Sequence, residues 1–350
     1  MAESSFHVRF GEPVKFLPVA FVFVNICFLY FVYMWWHIGL LLDDPDPDMR
    51  NKGFREAICF NVVSVLLITC YLRCILVHPG AIPTKEEDPS WEFIPRDSAG
   101  HGDTSAGISL QESKRSGDRR HCKWCTKFKP DRCHHCRVCK TCILKMDHHC
   151  PWIYNCVGFK NHKYFFLLLF YSVIDLWLIV WTMLPSVTSS TDSTIPFSQM
   201  FCLLFGETLA SFLSVLLTGF FFFHVYLMQK AMTTIEFCEK NLKRTGHDPS
   251  TYDRGVIGNA KAVLGDNYLT WLVPWDPPPG QGLTFLSEET KLIPDMETGY
   301  ESYQGRSGLG EAGDLPAQRQ HARSGSALSD ADVEGSVVSD KSGSLKSIKQ

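Results

Sequence analysis

Between His121 and Cys156 the chain reads HCKWCTKFKPDRCHHCRVCKTCILKMDHHCPWIYNC. Eight of its 14 cysteines fall in this stretch, together with His121, His134, His135, His148 and His149. Cys122 and Cys125, Cys133 and Cys136, Cys136 and Cys139, and Cys139 and Cys142 all form C-x2-C pairs. That spacing lets two thiolates face one ion from a tight turn, at about 2.3 Å from tetrahedral zinc. A disulfide framework is the competing reading, but C-x2-C pairs in a chain without a secretory signal point to metal. Two structural zinc sites take about eight ligands. More candidates than that are present, so at least one strong nucleophile can be spare.

The best spare thiol is Cys150, which closes the run Asp147-His148-His149-Cys150 ahead of Pro151-Trp152. A cysteine nucleophile needs a base to raise its thiolate fraction, and the base needs a carboxylate to orient it. All three groups are adjacent here, and a loop pinned by metal can hold them in register. Spacing alone leaves open the other assignment, in which Cys150 is a ligand and His148 has no chemical part.

The elements that must position this stretch are long and apolar. Four segments, residues 16–42, 57–77, 164–187 and 200–228, have the length and composition of membrane helices, since about 20 apolar residues span a ~30 Å hydrocarbon core. Trp35 and Trp36 lie near the far end of the first, where interfacial aromatics collect. Near-zero mean hydropathy averages these segments with very polar ones. Residues 1–15 precede an apolar run too long for a cleavable signal. Lys and Arg crowd the cysteine-rich stretch and the segment after the fourth span, including Lys230, Lys240, Lys243 and Arg244. The two short loops opposite carry no such excess. The positive-inside rule therefore predicts that both termini and the cysteine-rich segment are cytosolic. A net charge of −3 gives no sign of a nucleic-acid partner.

The expected organisation is an all-α polytopic membrane protein with four spans and a double-zinc domain between the second and third. It divides into a cytosolic N-terminus (1–15), the first two spans (16–77), a flexible linker (78–120) and the cysteine-rich domain (121–163). The last two spans (164–228), a cytosolic packing region (229–275) and a tail (276–350) follow. The tail is rich in Gly, Ser, Pro and charge, a composition that cannot offset its ordering entropy. Ser329-Asp330 and Ser339-Asp340 are candidate kinase sites. Lys346 and Lys349 do not match dilysine spacing, and no CaaX box is seen.

The cysteine-rich stretch resembles the DHHC protein S-acyltransferases (palmitoyltransferases). The residues that carry the resemblance are Cys122/Cys125, Lys129-Pro130-Asp131-Arg132, His135-Cys136, Cys139, Cys142 and the DHHC box with Trp152. Asn155-Cys156-Val157-Gly158 and Asn161 with Phe165 complete the pattern. Thr233-Thr234-Ile235-Glu236 resembles the family's TTxE box, which packs near the active site. Asn259, within a stretch running to Pro274, matches the family's C-terminal segment, with Ala260 and Leu264 in place of the expected aromatics. The resemblance implies one zinc on Cys122, Cys125, His135 and Cys142 and a second on Cys136, Cys139, His149 and Cys156, with Cys133 a small packing residue. It implies a two-step transfer from palmitoyl-CoA or another long-chain acyl-CoA, through an acyl-enzyme on Cys150, to membrane-proximal cysteines of protein substrates. His148 would be the base and Asp147 its orienter. Lys145 and Lys163 are candidates to meet the CoA phosphates.

Asp175, about ten residues into the third span, is a candidate acyl-cavity residue. Its expected hydrogen-bond partners are Asn25 and Thr218. The implied location is an endomembrane, Golgi or ER, or else the plasma membrane. Two other classes compete. A catalytically silent zinc scaffold has no use for Asp147, His148 and Cys150. A metal transporter would need paired His/Asp groups lining its spans, and these spans carry few ionisable residues.

Overall fold

The computed structural model describes residues 13–83, 112, 119–192, 195–243, 249–276, 278 and 280–285. The expectations for the first twelve residues, for most of the linker and for the tail beyond 285, Ser329, Ser339, Lys346 and Lys349 included, lie outside the described residues.

Four helices are long and apolar enough to cross a membrane: α1 (Val14–Leu42), α2 (Pro47–Leu76), α3 (His162–Asp192) and α4 (Phe197–Gln229). A helix satisfies every backbone polar group internally, which a hydrocarbon environment demands. Their outer faces carry Phe21, Val24, Val62, Val65, Phe212 and Val215, all exposed, as lipid-facing residues are. The inner faces meet through Leu29, Val32, Phe60, Ile179, Met183, Leu203 and Ala210. The second helix starts at Pro47, earlier than the expected residue 57. Asp46 caps it, its carboxylate accepting from the Asp48 amide at 3.0 Å, and Pro47 presets the first helical φ. Polar opening turns on a capped helix read as loop when only apolar residues are counted. Within α1, Val32–Ile38 winds as a π-helix, and its Tyr33 and His37 are buried. Tyr33 hydrogen-bonds Thr182 at 2.7 Å, and His37 bonds Ser186 at 2.8 Å and Glu56 at 3.0 Å.

Between α2 and α3 lie three two-stranded antiparallel hairpins: β1 (His121–Cys122) with β2 (Lys127–Phe128), β3 (His134–Cys136) with β4 (Thr141–Ile143), and β5 (His148–Cys150) with β6 (Asn155–Val157). Thr126 and Lys140, each directly after the second cysteine of a C-x2-C pair, adopt positive φ of 53° and 55°, which turns the chain back after both thiols have faced inward.

This small domain is bolted to the bundle through backbone. Asn155, fully buried, donates its side-chain amide to the carbonyls of Cys74 (2.9 Å) and Val77 (2.9 Å), orphan acceptors at the C-terminus of α2. Asn161 ties Gly158 to Cys156, accepting from the Gly158 amide at 2.9 Å and donating to the Cys156 carbonyl at 2.8 Å. A Cβ at Gly158 would lie 2.6 Å from Ile143 and 2.8 Å from the Pro79 carbonyl, so only glycine fits there. Residues 79–81, at the start of the expected linker, are ordered against this turn: Pro79 and Gly80 accept from Lys160 and Leu144.

After α4 come α5 (Thr234–Lys243) and α6 (Gly255–Leu264). Asn259 of α6 donates to the Gln229 carbonyl at 2.9 Å and so closes the end of α4. Val263 and Leu264 pack on Phe166 without the aromatics expected there. Leu269, Leu272 and Trp275 stay exposed in the turns that follow, and Tyr171 of α3 donates to the Leu272 carbonyl. Part of the segment expected to be a disordered tail also packs. Leu283 joins Ile82, Cys133, Leu144 and Phe159 in one apolar cluster. Gly282, at φ +75°, runs so close to Phe159 that a Cβ would be 2.5 Å from its ring.

Candidate active site and metal centres

Cys122, Cys125, His135 and Cys142 converge at the first centre, and Cys136, Cys139, His149 and Cys156 at the second. Within each group all ligand atoms lie within 4.8 Å of one another. His135 Nδ1 is 3.6, 3.3 and 3.9 Å from the sulfurs of Cys122, Cys125 and Cys142. His149 Nδ1 is 3.7, 3.5 and 3.5 Å from those of Cys136, Cys139 and Cys156. Tetrahedral zinc with bonds of about 2.3 Å to sulfur and about 2.05 Å to nitrogen puts S and N roughly 3.6 Å apart. Both donor sets therefore fit zinc in size and chemistry, with four protein ligands and no open position. Strand β3 supplies His135 to one centre and Cys136 to the other, so the two interleave. Cys133 belongs to neither group and is fully buried in the packing beside the first.

The hairpin β5–β6 separates structure from chemistry by strand alternation. His149 pairs opposite Cys156, and both turn to the second metal centre. Its neighbours His148 and Cys150 point to the other face, because side chains alternate along a strand. There Cys150 is buried among Tyr71, Cys74, Ile153, Val157, Phe165 and Leu169, at the end of the helix bundle that carries the cysteine-rich domain. Tyr71 donates to the Trp152 carbonyl at 3.0 Å and holds the turn after Cys150 against α2.

His148 Nδ1 meets Asp147 Oδ2 at 2.6 Å, which leaves Nε2 for Cys150. Burial opposes the imidazolium, but the Asp147 hydrogen bond and the Cys150 sulfur outweigh it and push His148 up to about 9. Asp147 is 1% exposed. Burial opposes its charge too, yet its contact with His148 holds it well below the usual carboxylate range. Two further donors, the Thr234 amide (2.8 Å) and hydroxyl (2.9 Å), complete its shell. A buried, doubly anchored carboxylate fixes the tautomer and plane of the imidazole it faces.

Thr234 is presented by the first turn of α5. Thr233 and Glu236 form a reciprocal cap there, the Thr233 amide donating to Glu236 at 2.8 Å and the Glu236 amide donating to the Thr233 hydroxyl at 3.2 Å. Glu236 also receives Arg132 through Nε (2.7 Å) and Nη2 (2.8 Å), a bidentate pair buried on both sides. The TTxE segment thus ties the Asp147 carboxylate and the cysteine-rich domain to the end of α4.

Three candidates sit differently from expectation. Lys145 and Lys163 were expected to offer charge to a soluble ligand, but both are buried. Lys163 donates to the Thr270 carbonyl at 2.9 Å. Burial, then the Arg132 charge, pushes Lys145 down to about 7. Asp175 accepts from Ser64 of α2 at 3.0 Å, whereas Asn25 bonds its own helix and Thr218 bonds Trp177. Phe165 and His224 had no role assigned from sequence. Phe165 lies edge-on to both His148 and His224, at 5.1 Å each, and walls the imidazole on its bundle side. The N-x3-F spacing pointed to Phe165, and nothing local marks His224.

A four-span membrane bundle carrying two interleaved Cys3His centres beside a buried Cys-His-Asp constellation defines a narrow class of protein. The chain matches the family described as DHHC palmitoyltransferase over residues 115–241. It is 32% identical to mouse palmitoyltransferase ZDHHC2 over 290 residues, 79% of this chain and 77% of the relative. It is 34% identical to the probable protein S-acyltransferase 14 of Arabidopsis thaliana over 278 residues, 75% of this chain and 84% of the relative. Against mouse ZDHHC15 the identity is 40% over 172 residues, 49% of this chain and 51% of the relative. The chain belongs to the DHHC palmitoyltransferase family.

Proposed function

We propose that this protein is a protein S-acyltransferase that moves a long-chain acyl group from acyl-CoA to cysteine thiols of membrane-associated proteins, by a ping-pong route through Cys150. The observation that carries this reading is the β5–β6 alternation, which commits His149 to metal and leaves Cys150 beside His148 and Asp147. His148 Nε2 takes the Cys150 proton, and the thiolate attacks the thioester carbonyl. As the carbon–sulfur bond to CoA breaks, His148 returns the proton to the departing CoA sulfur. In the second half His148 takes the proton of the substrate thiol, whose sulfur attacks the Cys150 thioester, and Cys150 leaves and is reprotonated. Asp147 holds the tautomer and stabilises the imidazolium throughout. The apolar wall around Cys150 accepts the acyl chain and excludes water from the intermediate.

Each Cys3His centre would hold a structural zinc, which contributes folding free energy directly. Neither centre has room for a catalytic water. The distribution of Lys and Arg supports cytosolic termini and a cytosolic active site in an endomembrane. The deciding experiment incubates purified protein with labelled palmitoyl-CoA. Hydroxylamine-sensitive label on Cys150, followed by its transfer to a substrate thiol, is the expected result. Zinc-loaded protein that takes up no label is a scaffold.

A further inference from the structure

Between the cysteine-rich domain, the end of α4 and α6, the chain forms a cavity of about 60 Å³. That is room for several waters at roughly 10–15 Å³ each. Lys145, His162, Arg132 and Tyr252 line it with little exposure, and Arg254 lines it from an exposed position. No carboxylate lines it. The nearby acids are engaged: Glu236 is bonded to Arg132, Asp147 to His148 and Thr234, and Asp253 to Asn259. Lys145 is 6% exposed, and its amine makes no hydrogen bond among the described residues, although the Glu236 and Asp147 charges favour its cation. His162 Nδ1 is likewise buried without a partner. Lys145 is held at φ +43°, a left-handed backbone that L-residues rarely adopt.

A buried polar group without a hydrogen-bond partner is costly, and proteins rarely retain one. Here the Lys145 amine and the unpartnered His162 Nδ1 line one cavity together with Arg132 and Arg254. We propose that this cavity binds a single phosphate group, with Lys145 and His162 as buried donors and Arg254 as the exposed one. At neutral pH a phosphomonoester carries about −1.5 to −2 charges and three strong acceptor oxygens, which suit that donor set. The cavity is too small for a nucleoside, so only a terminal phosphate enters. Met228 and Ala231, at the cytosolic end of α4, also line it, which places it at the level where a span leaves the membrane. Both a lipid headgroup phosphate and free phosphate can reach it there. A bound phosphate would neutralise the cations that line the cavity and fasten α6 to the cysteine-rich domain. The proposal stands apart from the transfer chemistry at Cys150.

The test uses the full chain, purified with its zinc, and reads thermal unfolding in two arms. One titrates inorganic phosphate against chloride at matched ionic strength. The other compares phosphatidylcholine nanodiscs with and without phosphatidylinositol 4-phosphate. A saturable rise in Tm of a few degrees is expected in at least one arm, and the arm identifies the source. Lys145→Met and Arg254→Gln should each weaken the apparent affinity by about tenfold or more, the size expected for one charge-assisted hydrogen bond. Arg254 is exposed, so its variant carries the test if Lys145→Met does not fold. No rise beyond chloride in the first arm and none in the second, or an equal rise in wild type and Arg254→Gln, overturns the proposal and leaves a cavity filled by water.

Discussion

Thr234 grips Asp147 twice, by amide and by hydroxyl, across 87 residues of chain. The carboxylate that faces His148 is therefore oriented from outside the cysteine-rich domain. Thr234→Val keeps the amide contact and removes the hydroxyl. A hydrogen bond to a charged group is worth about 1.5–3 kcal/mol. Self-acylation of this variant should slow by about ten- to a hundredfold, with zinc content and Tm unchanged. An undiminished rate would reduce the TTxE segment to packing.

Cys150→Ser should abolish self-acylation and transfer while both zinc equivalents remain, because Cys150 lies outside both ligand groups. His148→Ala and His149→Ala should then fail in different ways. Removing the base costs about 10²–10⁴ in rate and leaves a folded protein. Removing the ligand releases metal and unfolds the domain. Zinc assay, Tm and single-turnover acylation on the three variants separate these outcomes.

Because His135 and Cys136 are neighbours on one strand and serve different centres, metal loss should be cooperative. Titration with a chelator should remove both equivalents in a single transition, together with the order of the β5–β6 hairpin. Two resolved zinc-release steps, the first leaving full Tm, would contradict the interleaved arrangement.

The pair Arg132–Glu236 yields a pH prediction. Burial opposes ionisation of Glu236, but the Arg132 charge and hydrogen bonds more than offset it and lower its folded pKa. A lowered carboxyl pKa means that the stabilisation is fully present above the unfolded value, about 4.3, and is lost only as pH falls through the folded value. The titration of Glu236 itself should therefore add no slope to the Tm gap between wild type and Glu236→Gln across pH 6 to 8. In that window the neighbouring Lys145, at about 7, is the group that feels the lost charge. The size of the gap should reflect about 3–5 kcal/mol, the cost of breaking one side of a buried pair. A gap that grows or shrinks within that window would mean that another group controls it.

The parts of this site that could be read along the chain are those set by local geometry. Tight C-x2-C turns mark metal ligands, and the adjacency of Asp147, His148 and Cys150 marks a candidate nucleophile. The sorting of His149 to metal and Cys150 away from it comes from the resemblance to the DHHC family. Spacing still left Cys150 open as a ligand, because ten or so donors competed for eight places and only the fold separates the two faces. The parts that could not be read depend on segments far apart in sequence. Lys145 looks like solvated charge until α5 and α6 close over it. His224 is an ordinary polar residue near the end of an apolar span until Phe165 brings it beside His148. The polar first turns of α2 hid its start. Residues 282–285 were hidden by the composition of the tail around them, since a short docked segment does not change an average.

Asp175 and Ser64 form a polar pair between α2 and α3 inside the bundle, Ser64 donating to Asp175 at 3.0 Å. On α2 the stripe Tyr71, Leu67, Ser64 runs inward from the catalytic end, and on α3 the stripe Leu168, Tyr171, Asp175 runs beside it. Both have the i, i+3/i+4 spacing of one helix face. Phe165 and Leu169 pack directly at Cys150. Asp175 is ten residues beyond Phe165, about 15 Å deeper at 1.5 Å per residue. Each methylene buried against apolar side chains gains about 0.8 kcal/mol, and methylenes pressed against a carboxyl forfeit that gain. We therefore expect the Asp175–Ser64 pair to disfavour the longest chains. Asp175→Leu should shift the preferred acyl length upward without removing self-acylation, whereas Asp175→Phe, which fills the same space, should shift it downward. Ser64→Ala, which leaves the carboxyl without its donor, should sharpen the penalty and shift the preference in the same direction as Asp175→Phe. The measurement is the distribution of chain lengths loaded on Cys150 from a mixed acyl-CoA pool, read by mass spectrometry on proteins matched for zinc and Tm. An unchanged distribution in all three would leave Asp175 and Ser64 as a structural hydrogen bond between two membrane helices.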